Sequence, residues 1–155
     1  MTRIGVLSDT HLSSVTEEFR TVLGRTFSDV DLIIHAGDMT SRPVYDYLCN
    51  WDLRAVAGNM DDDDLRVLLP EKRIEVVSGR RIGIMHGRGP AFGVEHLVLR
   101  HFDDVDIVVF GHTHIPANAA RGSVRLCNPG SYRSSRTLGI LELGEEVDFR
   151  LVEIE

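Results

Sequence analysis

An α/β fold (α+β in its mixed strand directions), with two stacked sheets and helices on their outer sides, is what this sequence predicts, and three observations lead there. Through Asn59, branched apolar runs of strand length alternate with segments of helical periodicity, the pattern of βαβ units. From Arg73 onward, strand-like runs follow one another across tight turns, with a single helical segment between them, as antiparallel sheets do. Five of the runs end in a Gly, Asp, Asn or His, the kind of turn that carries function in such folds.

In chain order, Arg3–Ser8 reads as a buried strand because Ile4, Val6 and Leu7 are apolar and the run stops at Ser8-Asp9. Ser14 with Glu17 resembles a capping box, and Val15, Phe19, Val22, Leu23 and Phe27 then form one apolar face at helical spacing. Asp31–Ala36 is the next strand. Ser41–Tyr47 begins a second helix, with Pro43 acceptable in its first turn and Val44, Leu48 and Trp51 facing inward. Leu53–Ala57 is a third strand. Asp61–Asp64 reads as a solvated turn capping a short helix through Leu65. Arg73–Val77 and Arg80–Met85 flank Ser78-Gly79 as a hairpin. Val94–Phe102 is a helix with Val94, Leu97, Val98 and Phe102 on one side, and Asp106–Phe110 a fully buried strand. Val124–Cys127, Thr137–Leu143 and Val147–Ile154 complete the chain, the last two as a hairpin around Gly144.

The 155 residues suit one domain, 1–155, with one ordinary core. At 43% hydrophobic, with no apolar run near the roughly 18 residues of a membrane span, the chain reads as soluble with no membrane association. No secretory signal precedes Arg3, so a cytoplasmic location is expected. Cys49 and Cys127 are too few for a disulfide framework and read as two buried free thiols. A net charge of −7 argues against stable nucleic-acid binding, which needs a basic surface. Lys72 is the only lysine, a compositional bias.

Asp9, His11, Asp38, Asn59, His86, His112 and His114 all fall at run ends or in the turns after them. Asp9 with His11 and His112 with His114 are two apart, and in locally extended chain such residues point the same way, so each pair is expected to address one centre. Glycines 37, 58, 87 and 111 allow tight turns and close backbone approach beside a ligand. Imidazole, carboxylate and amide without thiolate suit manganese, iron, zinc or nickel rather than a structural zinc. Seven ligands exceed one tetrahedral ion, and two divalent ions about 3.5–4 Å apart account for them. A lone histidine at a strand end is ordinarily a hydrogen-bonded surface residue; four placed alike reverse that reading.

Asp9-x-His11, Gly37-Asp38, Gly58-Asn59, His86-Gly87 and Gly111-His112-Thr113-His114, in this order, resemble the calcineurin-like metallophosphoesterase family. Asn128-Pro129-Gly130-Ser131 and the short length are similar to its small, single-domain phosphodiesterase branch. The resemblance implies a four-layer αββα sandwich on a βαβαβ motif. It places Asp9, His11, Asp38 and His114 on one metal, and Asp38, Asn59, His86 and His112 on the other, with Asp38 bridging. Asp38, Asn59 and His86 are then also catalytic. The implied activity is hydrolysis of small phosphodiesters by a hydroxide between two divalent ions, manganese first. Phosphomonoesterase or nucleotidase activity is the enzymatic alternative; a non-catalytic metal-binding scaffold of the same fold is the other, disfavoured because every metal-site residue is retained.

One departure matters: much of the family has His after Gly-Asn, thought to protonate the leaving group, where this chain has Met60. A thioether cannot donate a proton, so Met60 reads as packing or substrate-lining. His35 and Asp62 are conceivable donors. His35 is expected beside Asp38, His96 and His101 solvated on a helix, and Asp61 next to the ligands. Asn128-Pro129-Gly130 is either only a turn or a support for the metal-bearing loops. Arg136 is either a phosphate contact or a surface arginine. Homo-oligomerisation is left open.

Overall fold

A computed structural model describes residues 1–155. Its strands are β1 (Thr2–Leu7), β2 (Leu32–His35), β3 (Leu53–Ala55), β4 (Lys72–Val77), β5 (Arg80–Met85), β6 (Ile107–Phe110), β7 (Ala117–Arg121), β8 (Val124–Asn128), β9 (Thr137–Leu143) and β10 (Val147–Glu153). The helices are α1 (Glu17–Thr26), α2 (Arg42–Leu48), α3 (Asp63–Leu68) and α4 (Ala91–Arg100). The strands form two five-stranded mixed sheets, ordered β10-β9-β1-β2-β3 and β4-β5-β6-β8-β7. β1, β2 and β3 run parallel through the crossovers α1 and α2, the expected βαβαβ unit; β5, β6 and β8 are parallel in the second sheet.

Alternation along the strands builds the layers. Ile4 and Val6 of β1, Leu32 and Ile34 of β2, Ile82 and Ile84 of β5, and Ile107 and Val109 of β6 share one buried cluster between the sheets. The alternate residues point outward: Leu7 and Ile33 meet Phe19, Leu23, Val44 and Leu48 of α1 and α2, while Met85, Val108 and Phe110 meet Val94 and Val98 of α4. A period of two thus feeds two apolar layers from each strand, giving helix, sheet, sheet, helix. At one edge the sheets are tied by charge, since Arg54 of β3 reaches Glu75 of β4 at 2.7 Å and Arg73 of β4 donates to the carbonyl of Ala55 at 3.0 Å.

Several elements depart from the sequence reading. α1 is capped by Thr16, whose hydroxyl accepts from the Phe19 N–H at 3.1 Å, and Ser14 is exposed. α4 starts at Ala91 rather than Val94 and ends before Phe102. β7 was not expected at all; Ala-Asn-Ala-Ala-Arg lacks the branched and aromatic residues that mark strands, and pairing with β8 supplies its order. Asp61 is buried rather than solvated. Cys127 is buried as expected, its thiol pushed up to about 12 by burial, whereas Cys49 is exposed at the end of α2. No helix is long and apolar enough to cross a membrane.

Candidate metal centre

The parallel strands of both sheets deliver their carboxyl ends to one place. Asp9 and His11 follow β1, Asp38 follows β2, Asn59 follows β3, His86 follows β5, and His112 and His114 follow β6. The turns are not extended chain: Asp9, His11, Asp38, His112 and His114 have φ of 52°, 46°, 60°, 71° and 61°. Such left-handed conformations are costly for non-glycine residues and concentrate where function needs a particular side-chain direction. Gly58 and Gly111 meet the other half of the requirement. A Cβ at Gly58 would overlap the Asp38 carboxylate, and one at Gly111 would overlap Ser8 and the Asp9 carboxylate.

Each carboxylate has one oxygen held and one free. Asp9 Oδ2 accepts from the Ser8 hydroxyl at 2.6 Å and the His112 N–H at 3.1 Å; Asp38 Oδ1 accepts from the Met60 N–H at 2.8 Å. The remaining Asp9 Oδ1 stands 3.2 Å from His114 Nε2, 3.6 Å from His11 Nε2 and 3.7 Å from His86 Nε2. Asp38 Oδ2 stands 3.1 Å from His86 Nε2 and 3.6 Å from His11 Nε2. Asp9 Oδ1, His11 Nε2 and His86 Nε2 are buried without any hydrogen-bond partner, although buried polar atoms are nearly always satisfied. Ligand atoms sharing one cation at bond lengths near 2.1 Å sit about 3–3.5 Å apart, close to the spacing seen here. The residues therefore fit divalent metal.

The histidines are oriented from behind. His86 Nδ1 donates to the Ala36 carbonyl at 2.7 Å, leaving the Nε2 lone pair directed at the carboxylates. His114 Nδ1 meets the Ser134 hydroxyl at 2.9 Å. His112 is turned the other way: Nε2 donates to the Gly89 carbonyl at 2.9 Å, so Nδ1 is its free ligand atom. Its ring packs edge-on to His86 with centroids 5.2 Å apart, while His114 lies 5.3 Å from His11. His112 and His114 therefore diverge, against the extended-chain argument that a spacing of two directs both to one centre, whereas the resemblance implies separate centres. The left-handed backbone at both residues is the reason.

Two compact ligand sets result, Asp9 with His11 and His114, and Asp9 with Asp38 and His86. Asp9 is common to both, while Asp38 Oδ2 spans His11 of one and His86 of the other. Asn59 is exposed and lines a cleft beside His86. Burial pushes the Asp9 and Asp38 carboxyls up, but the histidines around them outweigh it and hold both below the usual carboxylate range. The Asp9 carboxylate, against a burial penalty, raises His11; His86 is raised because the two aspartates overcome a larger penalty of the same kind. Divalent ions would compete with those protons for the same ligand atoms.

Met60 contributes its backbone N–H, the residue itself being 58% exposed. Arg136 binds Glu18 at 2.8 Å and lies over the Tyr132 ring. His35 is fully buried, its pKa lowered to about 3 by burial, and its ring contacts Thr10 and the Gly37 N–H rather than the Asp38 carboxylate. His96 is exposed and His101 half-buried at the end of α4. Asn128 donates to Thr113 at 3.0 Å and Ser131 to the Asp9 carbonyl at 2.8 Å, so that turn supports the ligand loops. Ser8, Gly89 and Ser134 carry no motif that would have singled them out.

The model of the calcineurin-like phosphoesterase superfamily domain matches residues 2–144. The chain belongs to this superfamily. It is similar over 98% of its length to a probable metallophosphoesterase of Methanocaldococcus jannaschii, at 35% identity and covering 81% of that protein. A probable metallophosphoesterase of Bacillus subtilis is 29% identical over 84% of this chain and 75% of its own. The solution structure of a Thermotoga maritima protein superposes with a TM-score of 0.76 at 29% identity, covering 99% of this chain and all of that one. Vps29 of Chaetomium thermophilum superposes at 0.75 with 19% identity, covering 98% and 97%, which shows the shared fold alone. The superfamily is one of metal-dependent phosphoesterases, and this chain carries its candidate metal-ligand groups.

Proposed function

We propose that the protein is a phosphodiesterase that hydrolyses small phosphodiesters with two divalent ions, manganese before iron, zinc or nickel. The observation that carries the reading is the set of unpartnered buried atoms, Asp9 Oδ1, His11 Nε2 and His86 Nε2, facing one another. Asp9, His11 and His114 would hold one ion, and His86, His112 and Asn59 the other, with Asp38 serving both. When bound, such ions supply Lewis acidity toward phosphoryl oxygens and lower the pKa of water. The chain's own part is to fix the ligand directions through Ser8, Ala36, Gly89 and Ser134, and to exclude bulk water behind Asp9 and Asp38.

No side chain at position 60 can give a proton to the leaving group, which favours esters whose alcohols depart readily. A solved archaeal phosphodiesterase has the same fold, with a TM-score of 0.75 at 22% identity. We place the protein, as a single domain, in the cytoplasm, where its two free cysteines stay reduced. Metal-free protein should be inert, and manganese should restore hydrolysis of bis-p-nitrophenyl phosphate. His86→Ala and Asp38→Ala should each lower that turnover by about a hundredfold or more. Turnover undiminished in either variant rejects the reading, and a side-by-side assay with p-nitrophenyl phosphate separates diester from monoester preference.

A further inference from the structure

A cleft of about 330 Å³ opens beside the candidate metal ligands, lined by Asn59 and His86 together with Leu69, Glu71, Arg66 and Arg88. That volume lies at the small end of ligand pockets and suits a group of sugar or nucleoside size. Its charge is the reverse of the molecule's. The chain carries −7 overall, yet two guanidiniums face a single carboxylate here. Arg66, exposed in the last turn of α3, makes no side-chain bond or ion pair. Arg88 follows His86 by two residues and meets only Glu71, at 3.9 Å, with 62% and 78% of the two side chains exposed. An ion pair that long and that wet contributes almost nothing. Arg54, Arg73 and Arg136, by contrast, are each bonded to carboxylates at 2.9 Å or less.

Resting on the phosphodiesterase reading, we propose that this cleft is a subsite for a second anionic group, so that the substrate is a phosphodiester one of whose alcohols also carries a phosphate, as in a phosphorylated nucleoside or sugar. Asn59 and His86 place the scissile phosphoryl group at one end of the cleft. Arg66 and Arg88 offer planar donor forks for phosphate at its mouth, where no competing protein carboxylate holds them closely. Leu69 gives the intervening sugar or base an apolar surface.

The test measures calorimetric affinities of manganese-loaded full-length protein for adenosine 5′-monophosphate and adenosine 3′,5′-bisphosphate. The second phosphate should tighten binding by about tenfold or more, the worth of one good charge-assisted contact. In R66A/R88A the advantage should fall to about twofold or less, while Arg25→Ala, which removes an exposed arginine from α1, should keep it. Equal affinities in the unaltered protein, an advantage that survives in the double variant, or an equal loss in Arg25→Ala overturns the proposal. Absence of bis-p-nitrophenyl phosphate turnover by the same preparation would sink the phosphodiesterase reading alone, because the affinity ratio judges the cleft independently.

Discussion

Asp61 sits in a run of four aspartates, and its neighbours Asp62–Asp64 are exposed as acidic residues at a helix start usually are. Asp61 itself is 5% exposed. It accepts from the N–H groups of Gly58 at 2.6 Å, Thr40 at 2.8 Å and Asp38 at 3.3 Å, so it pins the turns after β2 and β3 that present Asp38 and Asn59. Burial pushes its carboxyl up, and the three donors pull against that. Asp61→Ala strands those donors and should cost about 2–3 kcal/mol, read as a lower urea midpoint, and weaken manganese binding about tenfold. Asp62→Ala should stay within about 0.5 kcal/mol. Equal effects of the two would refute the assignment. Composition shows four like charges; which one turns inward depends on three backbone groups from distant turns.

Elements with a strong period were legible and their ends were not. Phe19, Val22 and Leu23 mark α1 from sequence, and all three are buried. Its start was misplaced because Ser14 and Thr16 are both acceptable caps, and the choice is tertiary. Leu12 bridges to Thr40, and its carbonyl accepts from the hydroxyls of Thr40 and Ser41, which holds the chain off helix until Thr16. Thr16→Ala should therefore cost about 1 kcal/mol and lower the melting temperature by about 2–4 °C, while Ser14→Ala should leave it unchanged. A calorimetric scan showing the reverse order would restore Ser14 as the cap. β7 was invisible for the opposite reason: Asn118 is ordered by contacts to the Phe149 carbonyl and Arg125, none of which leaves a local trace.

At the scale of the whole molecule, stability and site are joined, because the candidate metal ligands lie where the carboxyl ends of two sheets meet. Asp9 Oδ1, His11 Nε2 and His86 Nε2, buried without hydrogen-bond partners, are a debit that bound cations would remove. Free manganese at about a hundred times its dissociation constant should add about 2.7 kcal/mol, or about 5–10 °C in melting temperature for a chain of this size. Treatment with EDTA should reverse the gain, and Asp38→Ala should abolish the response. An unaltered melting temperature on chelation of active protein would mean that the ions are not part of the folded site.

Several features were determined by the sequence alone: the order of strands and helices through β6, the sandwich built from period-two apolar runs, and the residues that gather at the strand ends. Periodicity is local, and the glycines preceding Asp38, Asn59 and His112 mark tight turns without needing coordinates. Only the tertiary structure decided that His112 spends Nε2 on the Gly89 carbonyl, that Asp61 gathers three backbone N–H groups, and that Arg66 and Arg88 share a cleft with Asn59 and His86. Those outcomes depend on backbone dihedrals in turns and on contacts between segments far apart in the chain, and neither is written in the spacing of residue types.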